Sequence, residues 1–309
     1  MVNFKKGWHK SAVEMDVEGV SWREIARTLG LPKSTVSDFL REYNKQLVII
    51  PKSESTTSNY ARILVVDIET SSMLLGGWGL FNQNFSIEQI ERDWTVISYS
   101  AKWLGEDDVF YTDINDVTEK ELLQELWDLL DEADFVIAHN GRKFDVKKIK
   151  ARMIQHGFKP FSPVRIIDTL EVVKQEFGFT SNKLQYLTTS LCKNNVKSTH
   201  STFSGYLLWK EFMKGNKDAI DEMRTYNIID VESLEELYLI LAPWSSKLPN
   251  FDVYCDGEMD MSEWEHVGYH YTNLGKYDKY RNKTTGQHRR GRVNLLSAEK
   301  RKQLLGNII

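Results

Sequence analysis

Four carboxylates in three short motifs hold the chemistry open to this chain. Asp67-Ile68-Glu69-Thr70 follows the apolar run Ile63–Val66 directly. Asn140-Gly141-Arg142-Lys143-Phe144-Asp145 comes just after Phe135–Ala138, and Tyr226 stands four residues before Asp230. Side chains at i and i+2 of a strand share a face, so Asp67 and Glu69 can point at one cation. On a helix, i and i+4 share a face, so Tyr226 and Asp230 project together. Asp145 opens an amphipathic stretch with Val146, Ile149, Met153 and Ile154. That places it at a strand-to-helix transition, beside the first motif if the two strands pair. Hard divalent ions take oxygen ligands, and Mg²⁺ shares them with waters and substrate phosphates. Two such ions and an oriented water are the equipment for hydrolysing a phosphodiester.

Singly, each motif is common; a D-x-E pair after a strand is ordinarily a solvated strand end. In this order, with these flanks, the set resembles the DEDD exonucleases. The Y-x-x-x-D form of the third motif resembles their tyrosine branch, as in the proofreading domain of family B DNA polymerases. The chain looks most like stand-alone 3′–5′ exonucleases related to that domain, many of them from bacteria and their viruses. The resemblance spans about residues 62 to 243 and fills all five motif positions, with lesser echoes at Asp168-Thr169-Leu170 and Ser181-Asn182-Lys183-Leu184. It implies a ribonuclease H-like fold and two Mg²⁺ or Mn²⁺ ions. Asp67, Glu69 and Asp230 would hold the nucleophile-side ion. Asp67 would bridge to the second, which Asp145 holds through water, and Tyr226 would orient the attacking water. Thr70, Asn140 and Phe144 would place the terminal nucleotide. The expected activity is 3′–5′ exonuclease cleavage of DNA from a single-stranded or frayed 3′ end. Two rivals stand beside it: a DNA-binding regulator on an inactive nuclease scaffold, and a metal-dependent endonuclease or RNase of the same fold.

The elements that would carry these motifs alternate. Strands are predicted at Arg62–Asp67, Trp94–Trp103, Val109–Thr112, Phe135–His139 and Val164–Asp168, with helices at Glu119–Leu130 and Asp145–Gln155 and mostly helix from there to Ala242. The pattern alone says α/β with a mixed sheet; the resemblance supplies the ribonuclease H-like name. Residues 73 to 93 read as a long insertion. In it Trp78 and Phe81 can stack on bases of an unpaired strand or pack onto the sheet. His139 reads as a satisfied strand-end histidine, since a metal-activated water needs no histidine base.

The first sixty residues read as a separate module. Ser21-Trp22-Arg23-Glu24 is a capping box. The helix it opens runs to about Leu29, Gly30 breaks it, and Pro32 suits the first turn of the next. With a preceding helix at about His9–Glu18, this resembles the helix-turn-helix of resolvases and many small regulators. Lys33, Ser34, Ser37 and Arg41 would then face duplex DNA; protein contact is the other use of such a module. The expected boundaries are 1–46 for the module, 47–61 for a polar linker containing Pro51–Asn59, 62–243 for the nuclease domain and 244–309 for a tail.

Relatives of the exonucleases named above often end in a four-cysteine zinc ribbon, and the tail resembles one without its zinc. Cys255 alone survives of four thiolates, so zinc is not expected. An alternative ligand set is Cys255, His266, His270 and His288. The tail's tyrosines and basic residues also suit nucleic-acid contact without metal.

Charge is uneven along the 309 residues. Residues 1 to 61 carry nine Lys/Arg against seven Asp/Glu and residues 276 to 309 ten against two, leaving −14 between them within a total of −4. An acidic middle repels a polyanion unless metals neutralise it, and the ends can supply phosphate contacts. No apolar run is long enough to span a membrane. Two cysteines imply no disulfide framework, so a reducing cytoplasm, of a bacterial cell or a phage-infected host, is the expected compartment. No protein partner is read from the sequence.

Overall fold

The computed structural model describes residues 8–17, 22–32, 35–37, 39–40, 61–79, 81–194, 202–254 and 260–306. The chain divides into two compact units, Met1–Ser58 and Asn59–Ile309.

In the first unit, α1 (Trp8–Val17) and α2 (Trp22–Thr28) are followed by helical residues at 35–37 and 39–40. Ala12, Ile25, Ala26, Val36 and Leu40 form a small core of their own, with Trp8, Leu29 and Phe39 packed against it. Gly30 ends α2 at φ +65°, a value open to a residue without Cβ. The Gly30 N–H donates to the Arg27 carbonyl and the Leu31 N–H to that of Ala26, which closes the helix end as the sequence predicts. Ser37 is half-buried. Lys33, Ser34, Arg41, the capping Ser21 and the linker Pro51–Asn59 lie outside the described residues.

The second unit is built on an α/β mixed sheet. β1 (Ile63–Thr70) is followed by a two-stranded ribbon, β2 (Leu74–Leu75) and β3 (Ile90–Arg92), where the sequence suggests only an insertion. Then come β4 (Val96–Trp103), β5 (Val109–Asp113), α3 (Glu119–Glu132), β6 (Phe135–Ala138), α4 (Asp145–Gln155), β7 (Arg165–Asp168), α5 (Thr169–Glu176), α6 (Leu184–Leu191), α7 (Tyr206–Met213) and α8 (Lys217–Leu241). The main sheet runs β5-β4-β1-β6-β7. Its first three strands are antiparallel and its last three parallel, so β1 is the hinge between the two modes of pairing.

Alternation along β1 sends its side chains to two cores. Leu64, Val66 and Ile68 pack with Leu122, Leu126, Ile149 and Met153 from α3 and α4. Ile63 and Val65 pack on the other face with Val231, Leu234 and Tyr238 from α8. Asp67 and Glu69 continue that second row, toward α8. Thr118 caps α3 and Glu121 reaches back in a capping box. Glu119 joins three elements: it accepts from the Val96 N–H at 2.8 Å, from Arg152 at 2.8 and 2.5 Å and pairs with His156 at 2.8 Å. Burial pushes its carboxyl up, but these bonds outweigh burial and hold it below the ordinary value.

After α8, a 3-10 turn (Phe251–Tyr254) lays two rings edge-on against Phe135, at 5.0 and 5.2 Å. A three-stranded antiparallel sheet follows: β8 (Trp264–Thr272), β9 (Gly275–Asn282) and β10 (His288–Arg290) in the order β10-β9-β8, then α9 (Ala298–Gln303). In this tail His266 bonds Asp278 at 3.0 Å, and Cys255 lies outside the described residues. Among the described residues no three His, Cys, Asp or Glu side chains of the tail converge on one point. No described helix is long and apolar enough to cross a membrane.

Candidate metal centre

β6 accompanies β1 only from Ile63 to Val65, whereas β4 stays with it to Thr70. Asp67 to Thr70 therefore stand past the carboxyl end of β6, where an open α/β sheet leaves a crevice. On the facing side, α8 presents a buried stripe at helical spacing: Met223, Asn227, Asp230, Val231, Leu234 and Leu237. Its apolar members dock the helix on the sheet, and that docking carries Asp230 to β1. One carboxylate oxygen from each of Asp67, Glu69 and Asp230 lies within 4.8 Å of the others; among the described residues this is the one such group. Asp230 is buried, and Asp67 and Glu69 are half-buried. Three anions so close repel one another. Hard oxygen donors in this arrangement can hold a divalent cation.

Neutral donors fix the carboxylates. Asn227 Nδ2 donates to Asp67 Oδ2 at 2.7 Å, and Ser98 Oγ on β4 donates to Asn227 Oδ1 at 3.1 Å. Trp209 Nε1 on α7 donates to Glu69 Oε2 at 3.1 Å. The Trp209 and Tyr226 rings meet edge to face at 6.0 Å. Burial first, and then the charges of Asp230, Glu69 and Asp67, push the Tyr226 phenol well above its ordinary pKa, and it donates to Asp230. Tyr226 is a neutral donor in this site. Asn227 and Trp209 carried no sequence signal: an amide inside a helical motif and a tryptophan in an apolar helix look like packing.

Asp145 is not one of the three clustered carboxylates. It opens α4, is 4% exposed and accepts from the Ile68 N–H, so it reaches β1 beside the first motif. Burial raises its pKa to about 6; its own N–H and that of Ile68 pull downward, and the charge of Asp168 pushes up. The loop before it is held from β7. Asp168 accepts from the Asn140 N–H at 2.9 Å and the Arg142 N–H at 3.2 Å, and also caps α5 through the Leu170 N–H. Asn140 adopts φ +68°, and a Cβ on Gly141 would come within 2.3 Å of the Ala138 Cβ, so the chain can turn here only on glycine. The sequence showed Asp168 as an echo of a motif; its work is to hold this turn.

Next to Asp145, Phe144 is exposed, and Lys148 Nζ lies 3.4 Å from the Trp94 ring centroid and 5.7 Å from that of Phe144. Burial lowers the Lys148 pKa, against the pull of Asp93. Thr70 is half-buried at the end of β1. Trp78 is 98% exposed and Phe81 83%, so neither ring packs onto the sheet. Their loop is braced from inside: Gln83 accepts from the Trp78 N–H and donates to the Gly79 carbonyl, while Gln89 Nε2 donates to the Gly76 carbonyl. His139 bonds the Asn182 carbonyl and the Thr169 hydroxyl, each at 2.9 Å, which accounts for both ring nitrogens.

A family model agrees with this architecture. The model of a family described as the RNase H superfamily matches residues 85–242. No curated protein matches. Among solved structures, the family B DNA polymerase from the hyperthermophilic archaeon Pyrobaculum calidifontis is similar with a TM-score of 0.41 and 11% identity. The match covers 64% of this chain and 27% of the polymerase.

Proposed function

The chain belongs to the RNase H superfamily, and on that premise we propose that it is a metal-dependent 3′–5′ exonuclease acting on DNA from a single-stranded or frayed 3′ end. The observation that carries this reading is the meeting of Asp67, Glu69 and Asp230 beside Tyr226. A strand pair and a helix motif separated by most of the domain converge at the spacing a cation needs. The donor set fits Mg²⁺ or Mn²⁺: hard oxygens whose mutual repulsion a divalent ion removes. Asp67, Glu69 and Asp230 would hold one ion, and Asp67 and Asp145 would serve a second. When bound, two such ions activate the attacking water and stabilise charge on the phosphate and leaving oxygen.

The protein's own groups do the rest. Asn227 and Trp209 keep Asp67 and Glu69 in their orientations, so little rearrangement stands between the free and the working site. Burial and the neighbouring carboxylates hold the proton on the Tyr226 hydroxyl, which would orient the attacking water. Thr70, Asn140 and Phe144 border the place where a terminal nucleotide would sit. Lys33, Ser34, Ser37 and Arg41 of the N-terminal unit would tether duplex DNA.

The test is a 5′-labelled oligonucleotide, single- or double-stranded, DNA or RNA, with Mg²⁺, Mn²⁺ or EDTA. A metal-dependent ladder shortening from the 3′ end is expected. Full cleavage in EDTA would end the metal assignment. A discrete internal cut on a 3′-blocked strand would make the protein an endonuclease.

A further inference from the structure

Register across the C-terminal sheet sorts its side chains by charge. Residues directly opposite in an antiparallel pair share a face. β9 pairs Arg281 with His288 and Lys279 with Arg290 of β10, and Arg281 with Glu265 and Tyr277 with His270 of β8. One face of this small sheet therefore carries Lys279, Arg281 and Arg290 with two histidines, against the single carboxylate of Glu265. Arg281 is paired with that carboxylate. The Arg290 guanidinium lies 4.4 Å from the Tyr277 ring centroid. Among the described residues, no side-chain hydrogen bond or ion pair engages Lys279, His288 or Arg290. Arg290, His288 and His270 are exposed.

Like charges placed directly opposite each other weaken a sheet. One such pair, Lys279–Arg290, joins β9 to β10, with Arg281 and His288 opposite each other beside it. A polyanion laid across the face would turn that repulsion into binding. The sequence asks for such a device, because the acidic middle of the chain repels a polyanion and the ten basic residues after position 275 are the main counterweight.

We propose that this face is a second contact surface for nucleic acid, gripping the sugar–phosphate backbone by charge while the strand end is processed at the carboxylates. It takes its polyanion from the nuclease reading, but it stands on binding alone. It acts without base recognition, since point charges and one stacked guanidinium read phosphate and not sequence. Single strand and duplex offer the same chemistry, and the two arms of the test tell them apart.

The experiment uses the full chain in EDTA, so that binding is read without cleavage. Anisotropy of a labelled single strand and a labelled duplex is followed against KCl for the parent, for Lys279→Ala/Arg290→Ala, and for the charge-keeping Lys279→Arg/Arg290→Lys. Lys120→Ala/Lys159→Ala removes the same charge from exposed positions elsewhere. Loss of two phosphate contacts should flatten the slope of log K against log salt by about 1.4 on single strand or about 1.8 on duplex, and so weaken binding roughly 25- to 60-fold at about 0.1 M salt. The charge-keeping variant and the Lys120/Lys159 variant should follow the parent. An unchanged slope in Lys279→Ala/Arg290→Ala overturns the proposal, as does an equal loss in Lys120→Ala/Lys159→Ala. If parent and Asp67→Ala both fail to cut, or cut alike, while the slopes behave as expected, the reading of the carboxylate site falls and this surface stands.

Discussion

Replacing Asp145 by Asn should make the metal-free protein more stable relative to the parent as pH rises. The carboxyl is 4% exposed and its pKa rises from 3.8 to about 6, with burial the largest cause. In the folded state the proton is therefore held more tightly than in the unfolded chain. Below the unfolded value both states are protonated and no cost arises. Between about 4 and 6 the unfolded chain gives up the proton while the folded protein keeps it; stability is lost across that window and levels off above 6, where the buried group ionises too. A little over two units corresponds to about 3 kcal/mol. An asparagine oxygen can still accept from the Ile68 N–H, but its amide group brings a packing and hydrogen-bonding cost of its own, about 1–3 kcal/mol if left unpaired. That cost does not titrate, so it cancels from the pH dependence. The measurement is urea unfolding in EDTA of parent and Asp145→Asn at pH 4 and pH 7.5, compared as a difference of differences. The variant should gain about 2.4 kcal/mol on the parent between the two pH values, since part of the total is already lost at pH 4, less whatever residual structure in the unfolded state absorbs. A pH-independent difference would show that Asp145 is not a destabilising buried anion.

Asp67→Ala and Asp230→Ala should each lower turnover of a 5′-labelled single strand more than roughly a hundredfold, with Tyr226→Phe milder because it leaves every carboxylate in place. Asn227→Ala takes a donor from Asp67 and an acceptor from the Ser98 hydroxyl; it should cost about 1–3 kcal/mol in urea unfolding and slow turnover, whereas a purely structural Asn227 would spare turnover once the protein is folded. Gly141→Ala forces a Cβ against Ala138, and a denaturation midpoint equal to the parent's would contradict the close approach; about 1–3 kcal/mol of loss is expected. Lys33→Ala/Arg41→Ala should weaken duplex binding and flatten its salt slope by about one unit per phosphate contact, with short single strands turned over as before.

The order of elements in the second unit was legible because period and punctuation agreed. The helix at Asp145–Gln155 matches residue for residue, and the apolar runs before the first two motifs are β1 and β6. Asp67, Glu69 and Asp230 meet because strand and helix periods place them on facing surfaces, and period is what a sequence displays. The supporting groups were hidden for the same reason. Asn227 and Trp209 work through distances to residues 160 and 140 positions away, and no local pattern records that. The ribbon of β2 and β3 escaped notice because two and three residues are too short to show alternation. Exposure misled at Trp78: large rings are usually covered, and this one is held out by a loop that Gln83 and Gln89 tie from within.

The hydrogen bond from Asn227 to Asp67 crosses 160 residues of chain, and α8 is the last element of the carboxylate site to be made. Translation runs from β1 toward α8 at roughly 5–20 residues per second, so roughly 8–30 s separate the birth of the first carboxylates from their completion. Through that interval the emerging polypeptide carries Asp67 and Glu69 without Asp230, Tyr226 or Asn227. On the proposed nuclease reading, a ribosome building this chain, with messenger and transfer RNA within reach, would carry a protein whose carboxylate site is incomplete until its final long helix docks. Any truncated product or degradation fragment that ends before Lys217 would likewise lack Asp230, Tyr226 and Asn227.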